Sequence, residues 1–386
     1  MADPNSQFLE SKDFPEEGFK GLGRGKLIVG GFFFVAITVG IFWYQFHRID
    51  PGDHIPSLDQ IRWGYLIPIL LFLPLETFLS SVRIWIICRI LHPDISFWTC
   101  LKADLGNAAI AILTPSQMGG GPGQMYFLNR GGVGLSTALT ITLLTFVSTL
   151  VTLLVMGLYS LFLAYVDHSN PLFIGAVSTL TLVSGLIILS AVWPGFFRRI
   201  ISGFSRGLWR IRGRKDPLKG WWHPGRPQTA EATDRMGPLA LRLVDILYAY
   251  RDDLTRFLLH GKALFIWTCF LGLAFFISRF ILTFFCVRFL GIEASSLGEI
   301  IEIQMTLVFL TYLAPTPGSA GIAEEASLSI MWGIVPMGYA PYYNFLWRFT
   351  TVYFGAAAGL LLLWVAVLKD MSKLYRGKGK GNPKSA

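Results

Sequence analysis

The sequence predicts an all-α polytopic membrane protein with about six full spans and two re-entrant, broken helical hairpins arranged as an inverted repeat. Three observations carry that reading. Hydrophobic residues fill 53% of the 386 positions and charged residues only 15%, and the mean hydropathy is +0.53, well outside the range of a soluble domain. Six apolar runs are each long enough to cross a ~30 Å hydrocarbon core at about 1.5 Å per residue. Two Pro/Gly-interrupted segments about 200 positions apart read as copies: Leu113, Pro115, Gly121 and Gln124 of LTPSQMGGGPGQ answer to Leu313, Pro315, Gly321 and Glu324 of LAPTPGSAGIAE. Upstream, Arg89-Ile90-Leu91 falls opposite Arg288-Phe289-Leu290 at an offset of 199.

Residues 1–26 are polar and carry both charge signs, so the first apolar run, Leu27 to Phe46, reads as a span and not as a cleavable signal. Tyr65 to Leu91, Leu139 to Val166 and Leu172 to Trp193 follow within a first membrane repeat, 27–193. Ala263 to Leu290 and Phe345 to Leu368 belong to a second, 263–368. Between the repeats lies a basic linker, 194–262, in which Arg198, Arg199, Arg206, Arg210 and Arg212 begin a dense cationic series, and the tail, 369–386, adds Lys369, Lys373 and Arg376. The excess of Lys and Arg places linker, tail and N-terminus on the cytoplasmic side. The links near Arg48 to Arg62 and Asp167 to Asn170 are poor in cations and suit the opposite face. Phe196 to Arg212 mixes aromatic and aliphatic residues with arginine, as an interfacial segment on anionic lipid does. Leu239 to Leu259 has helical amphipathic spacing and is expected to pack on the cytoplasmic ends of the bundle.

With the N-terminus inside, two spans return the chain to the cytoplasm at Arg89. Phe97 to Leu113 then carries Lys102 and Asp104 and stops at Pro115 and a glycine run, so a half-crossing helix is expected there. The first hairpin, about 97–128, therefore inserts from inside. The second, about 297–335, follows a span that leaves Arg288 outside, and inserts from outside. Opposite insertion of related segments is what an inverted repeat predicts. A helix broken at mid-depth exposes N–H and C=O groups that cost several kcal/mol each in hydrocarbon unless protein, water or a polar substrate satisfies them. Pro115, Gly119, Gly120, Gly121, Gly123 and Gln124, with Pro315, Gly318 and Gly321, are accordingly candidate substrate-binding positions. Glycine permits close backbone approach, and the N-terminus of the helix beginning near Gln124 suits a phosphate. Close helix packing is the alternative reading of the same glycines.

Charges inside apolar segments are few, and each is costly at the bilayer centre. Glu76 and Arg83 stand seven apart, Arg279 is central in its span, Arg130 follows the first hairpin, and Arg348 begins the final span. Glu324 and Glu325 open the helix after the second break. Either carboxylate serves as proton acceptor or counter-charge to a cationic headgroup, or caps a helix N-terminus. Arg83 and Arg279 hold a lipid phosphate, or pair with Glu76 and Glu324. Arg89 and Arg288, near span ends, are expected to snorkel. The four cysteines lack CxxC spacing and read as small buried apolar residues. The six histidines have no ligand spacing, and no nucleotide-binding glycine motif or nucleophile elbow occurs, so neither metal nor cofactor is expected. The net charge of +9 concentrates at membrane boundaries, which argues against nucleic acid and for anionic lipid as its partner.

The two motifs, LTPSQMGGGPGQMYFLNRGGVGLSTAL and LAPTPGSAGIAEEASL, resemble the flippase-like, lysylphosphatidylglycerol synthase transmembrane-region family, over about Leu27 to Leu368. The resemblance implies a prokaryotic inner-membrane protein that moves a phospholipid, aminoacylated or not, or a lipid-linked head group between leaflets by alternating access. A homo-oligomer is compatible with it. Relatives commonly carry Gly-Glu where this chain has Gly123-Gln124, so the carboxylate at the first break is missing here. A soluble aminoacyl-transferring domain occurs in the family, and the longest polar stretch here, about 70 residues, is too short for one. The expectation is a transporter and not an enzyme. The alternative is a membrane-embedded transferase of lipid-linked glycan or aminoacyl-lipid pathways, which requires acid/base groups beside a donor pocket. A non-transporting scaffold is a third possibility.

Overall fold

Hydrocarbon admits only backbone that satisfies its own hydrogen bonds, and helices do so segment by segment. The computed structural model, which describes residues 24–48, 56–115, 117–162, 171–192, 249–250, 252–257, 259–293 and 295–379, is helical throughout apart from turns and one isolated β-bridge. In chain order the helices are α1 (Arg24–His47), α2 (Leu66–Leu91), α3 (Phe97–Ala111), α4 (Gly121–Arg130), α5 (Leu135–Phe162) and α6 (Pro171–Val192). They continue with α7 (Lys262–Phe289), α8 (Leu297–Leu313), α9 (Ile322–Met331), α10 (Ala340–Arg348) and α11 (Phe354–Gly379).

Among the described residues four stretches are long and apolar enough to cross a membrane: Trp63–Leu91, Leu135–Leu161, Lys262–Phe289 and Met337–Ala366. Their outward faces carry Leu70, Leu71, Phe78, Trp267, Phe270, Leu361 and Trp364, all exposed, as residues facing lipid must be. The protein is a multi-pass helical membrane protein. α1 and α6 coincide with the other two expected spans, and the apolar part of α1, Gly31–His47, is shorter than the four. The final span departs from expectation at its start. A π-helical turn, Phe349–Tyr353, joins α10 to α11, so the helix begins near Met337 and not at Phe345. Pro341, Tyr343 and Asn344 hide that beginning from an apolarity reading, and Arg348 consequently lies within the span.

The chain forms two compact bodies. Of the described residues, the first comprises those within 24–82, 96–128 and 274–379, and contains both broken hairpins; the second comprises those within 83–95 and 129–273. Basic linker residues 194–248 and tail residues 380–386 lie outside the described residues, as do Phe196 to Arg212 and most of Leu239 to Leu259.

In the first body α3 and α11 meet most closely. Gly355 and Gly359 form a small-xxx-small pair on α11, and a Cβ at Gly359 would collide with the Leu105 carbonyl and press on Ala109. Ser96 and Ser296 cap α3 and α8, accepting from the N–H groups of Trp98 and Glu299. Ile300, Leu307, Met331, Tyr343 and Trp347 form the core around α8, α9 and α10. In the second body α5 packs along α6. Thr140, Thr142, Thr145 and Thr152 donate to carbonyls four residues earlier on α5, which keeps hydroxyls satisfied within an apolar bundle. Residues 252–257 are helical; the Gly261 N–H donates to the Phe257 carbonyl at 2.7 Å, and the Phe257 ring meets Phe265 edge-on. Cys88, Cys100 and Cys286 are buried and Cys269 half-buried, all as free thiols.

Candidate functional site

The first break begins where α3 tightens. Leu113 and Thr114 donate to carbonyls only three residues back, and the Thr114 hydroxyl donates to the Ala111 carbonyl at 2.9 Å and accepts from the Gly119 N–H at 3.0 Å. Gln117 takes a left-handed φ of 55°, a 3-10 turn covers Met118–Gly120, and α4 folds back along α3. Gly123 is required there, because a Cβ would run into the Gly106 carbonyl. Gly119 backs onto Thr114, Gly120 onto Asn107, and Gly121 starts α4. The glycines thus serve hairpin packing first. Gln124 is 1% exposed; its Oε1 accepts from Asn107 Nδ2 at 3.3 Å, and its Nε2 has no hydrogen-bond partner among the described residues.

The second break lies against the first. α8 ends at Ala314, which turns extended before Pro315, and Pro317 pairs with Pro115 in an antiparallel bridge. The Gly318 N–H donates to the Thr114 carbonyl at 3.2 Å, and Gln117 Nε2 donates to Ser319 Oγ at 3.5 Å. The tips therefore satisfy one another where neither has helical partners. Gly321 has φ 82°, a value that strains any side chain with a Cβ.

Glu324 is completely buried, and it is held on three sides. Its Oε2 accepts from the Gly321 N–H at 2.6 Å, closing the first turn of α9, and its Oε1 accepts from Arg348 Nε at 2.7 Å. Its carbonyl accepts from Asn344 Nδ2 at 3.2 Å. Arg348, 1% exposed, also donates from Nη2 to the Gly318 carbonyl at 2.8 Å. One arginine of the final span thus grips both the carboxylate and the backbone of the second tip. Glu324 thus caps the helix, as one of its two expected roles required, and its ion-pair partner is Arg348 and not Arg279, which pairs with Glu76. Glu325 is 40% exposed at its side chain, faces Gln45 Nε2 at 3.5 Å, and stands 3.9 Å from Arg48.

Arg279 pairs with Glu76: Nε and Nη2 both reach Oε2 at 3.1 Å, and Nη2 also donates to the Thr351 carbonyl at 3.0 Å. Glu76 Oε1 is buried without a hydrogen-bond partner among the described residues. Arg83 belongs to the second body, where it donates to Ser148 Oγ at 2.8 Å, Thr149 Oγ1 at 2.7 Å and the Thr145 carbonyl at 3.3 Å. Arg130 closes α4 at the surface. Arg89 lies over the Trp85 ring, and Arg288 over Phe284 with a 2.7 Å bond to the Ser295 carbonyl, so both find local partners near span ends.

Sequence reasoning missed Arg348, Gln45, Asn344, Asn107 and Thr114 as members of the site. Arg348 was singled out, with Arg279, as a charge within an apolar stretch, but was given no role in the site.

No curated protein matches the chain. A family model described as the lysylphosphatidylglycerol synthase TM region matches residues 29–359, from α1 into α11 and across both hairpins. The protein belongs to the lysylphosphatidylglycerol synthase transmembrane-region family.

Proposed function

We infer that the chain is a lipid flippase that moves a phospholipid or lipid-linked head group between leaflets by alternating access. The observation that carries this reading is the meeting of two broken hairpins at Pro115 and Pro317, together with a buried Arg348–Glu324 pair and a buried Gln124 Nε2 that has no hydrogen-bond partner among the described residues. Irregular backbone at membrane depth belongs where it lines a cavity or a substrate path. In this reading the hairpins are re-entrant and inserted from opposite faces, the chain has six spans related as an inverted repeat, and both termini are cytoplasmic in a prokaryotic inner membrane. The N-terminus of α4 receives the headgroup phosphate, and separation of Arg348 from Glu324 releases the second tip. Without a nucleotide site, movement is driven by a proton or the membrane potential, or runs downhill.

Leaflet exchange of labelled phospholipids, with and without a lysyl headgroup, in liposomes holding the purified protein is the test. Wild type is compared with folded Glu324→Gln and Gly121→Leu variants. Exchange that depends on both residues supports translocation at the hairpins. Absence of exchange for every lipid, with and without a pH gradient, overturns it in favour of a transferase or scaffold.

A further inference from the structure

An open groove of about 670 Å³ runs within the first body between α1 and α10. Its α1 wall is one helical face, Val39, Phe42, Trp43 and Phe46, at spacings of three, one and three. The facing wall is supplied by Tyr342 and Phe345, whose rings meet Phe46 and Phe42 edge-on at 5.5 and 5.8 Å. From Thr38 to Phe46 it extends about 12 Å along the α1 axis. The lining is almost wholly apolar, and in a bilayer its occupant is hydrocarbon.

One end of this groove is different. Ile61 and Leu290 line it there, and the neighbouring Arg62 and Glu293 form an exposed ion pair. Arg48, two residues past Phe46, stands 3.9 Å from Glu325, with the two side chains 48% and 40% exposed. Two arginine–carboxylate pairs thus rim the end where α1 leaves the membrane. Such exposed pairs are worth little as stabilisers and exchange partners readily. A guanidinium beside a carboxylate complements a headgroup that carries a phosphate beside an ammonium.

We propose that this groove is a lateral portal that seats one acyl chain of a phospholipid with a primary-amine headgroup, its phosphate on Arg48 or Arg62 and its ammonium on Glu325 or Glu293. The proposal rests on the flippase reading and adds the path by which lipid reaches or leaves the second hairpin. Because Glu325 follows the buried Glu324, headgroup binding at the rim acts on the first turn of α9, which Glu324 closes.

The experiment uses the full chain in nanodiscs with diazirine-acyl phosphatidylethanolamine or the matching phosphatidylglycerol, and maps labelled peptides by mass spectrometry. Labelling of the Phe42 and Phe345 peptides by the ethanolamine lipid is expected to exceed that by the glycerol lipid about fivefold, the scale of one or two partly exposed ionic contacts. Labelling around Leu361 and Trp364 should not discriminate. The surface variants Arg48→Gln and Arg62→Gln together erase the preference, and Val39→Trp blocks the groove and removes its label. Uniform labelling around the belt, or indifference to headgroup or to these variants, overturns the portal. Headgroup-selective labelling without leaflet exchange keeps the site and removes the flippase; exchange that persists alongside uniform labelling removes the portal alone.

Discussion

The Arg348–Glu324 pair has almost no contact with solvent, so each charge depends on the other. Removal of one partner strands the second, a loss of about 3–5 kcal/mol in buried pairs. Arg348→Gln and Glu324→Gln are each expected to lower stability on that scale, measured by denaturant unfolding in one detergent. The Glu324→Gln cost should be the smaller of the two, because an amide oxygen still accepts from the Gly321 N–H. An apolar replacement of both, Arg348→Met with Glu324→Leu, should recover part of the loss. Full additivity of the two single changes would show that the charges are not coupled. At the same scale, the capping role of Glu324 was legible in the sequence, but its ion-pair partner was not. Its partner lies 24 residues away in a different helix, and such a separation has no periodicity to betray it.

Helices were legible where apolar runs and breakers agree: α2, α5 and α7 lie close to their expected spans, and Pro115 and Pro315 fall at the two breaks. The start of the last span was not legible, because only tertiary partners, bonded to Asn344 Nδ2 and the Tyr343 hydroxyl, admit these polar groups into helix α10. Packing between helices was half-visible, since the glycines of α11 stand in a small-xxx-small pattern that only the backbone of α3 explains. Gly359→Leu should therefore prevent recovery of folded protein, and Gly359→Ala should cost roughly 1–3 kcal/mol through overpacking. Gly40→Ala, where a Cβ meets nothing within 4 Å, should change stability by less than about 0.5 kcal/mol or improve it slightly. Equal effects at Gly40 and Gly359 would contradict the packing account. Outside the spans, helical residues 252–257 carry Asp253, whose carboxyl is raised above its ordinary 3.8 by burial, against hydrogen bonds from Thr137 and Thr140 and the Arg256 charge. A carboxyl whose folded value is raised contributes stability below the unfolded value and loses it as pH rises through the folded one. Hydrogen exchange, corrected for intrinsic rates, should show the amides of 252–257 better protected as pH falls through that window, and Asp253→Asn should flatten the dependence.

For the molecule as a whole, two segments 200 positions apart in sequence share a single body and meet at their tips. The repeated Pro/Gly positions were legible, but the contact was not, because two similar motifs do not announce whether they face or avoid each other. Among the described residues the tips are joined by the Pro115–Pro317 bridge, a backbone hydrogen bond from Gly318 to Thr114 and a long one from Gln117 to Ser319. In the flippase reading this meeting point is the gate, and a gate must open during transport. Directly opposed residues of an antiparallel bridge have Cα atoms about 4.5–5.5 Å apart, within the span of a disulfide. In a chain with Cys88, Cys100, Cys269 and Cys286 replaced, Pro115→Cys with Pro317→Cys should therefore crosslink under mild oxidation. If the tips part during transport, oxidation stops leaflet exchange and a reductant restores it, while either single cysteine variant is insensitive to both. Exchange that continues at the same rate through a complete crosslink would place the moving element elsewhere and leave the meeting of the hairpins a static feature of the fold.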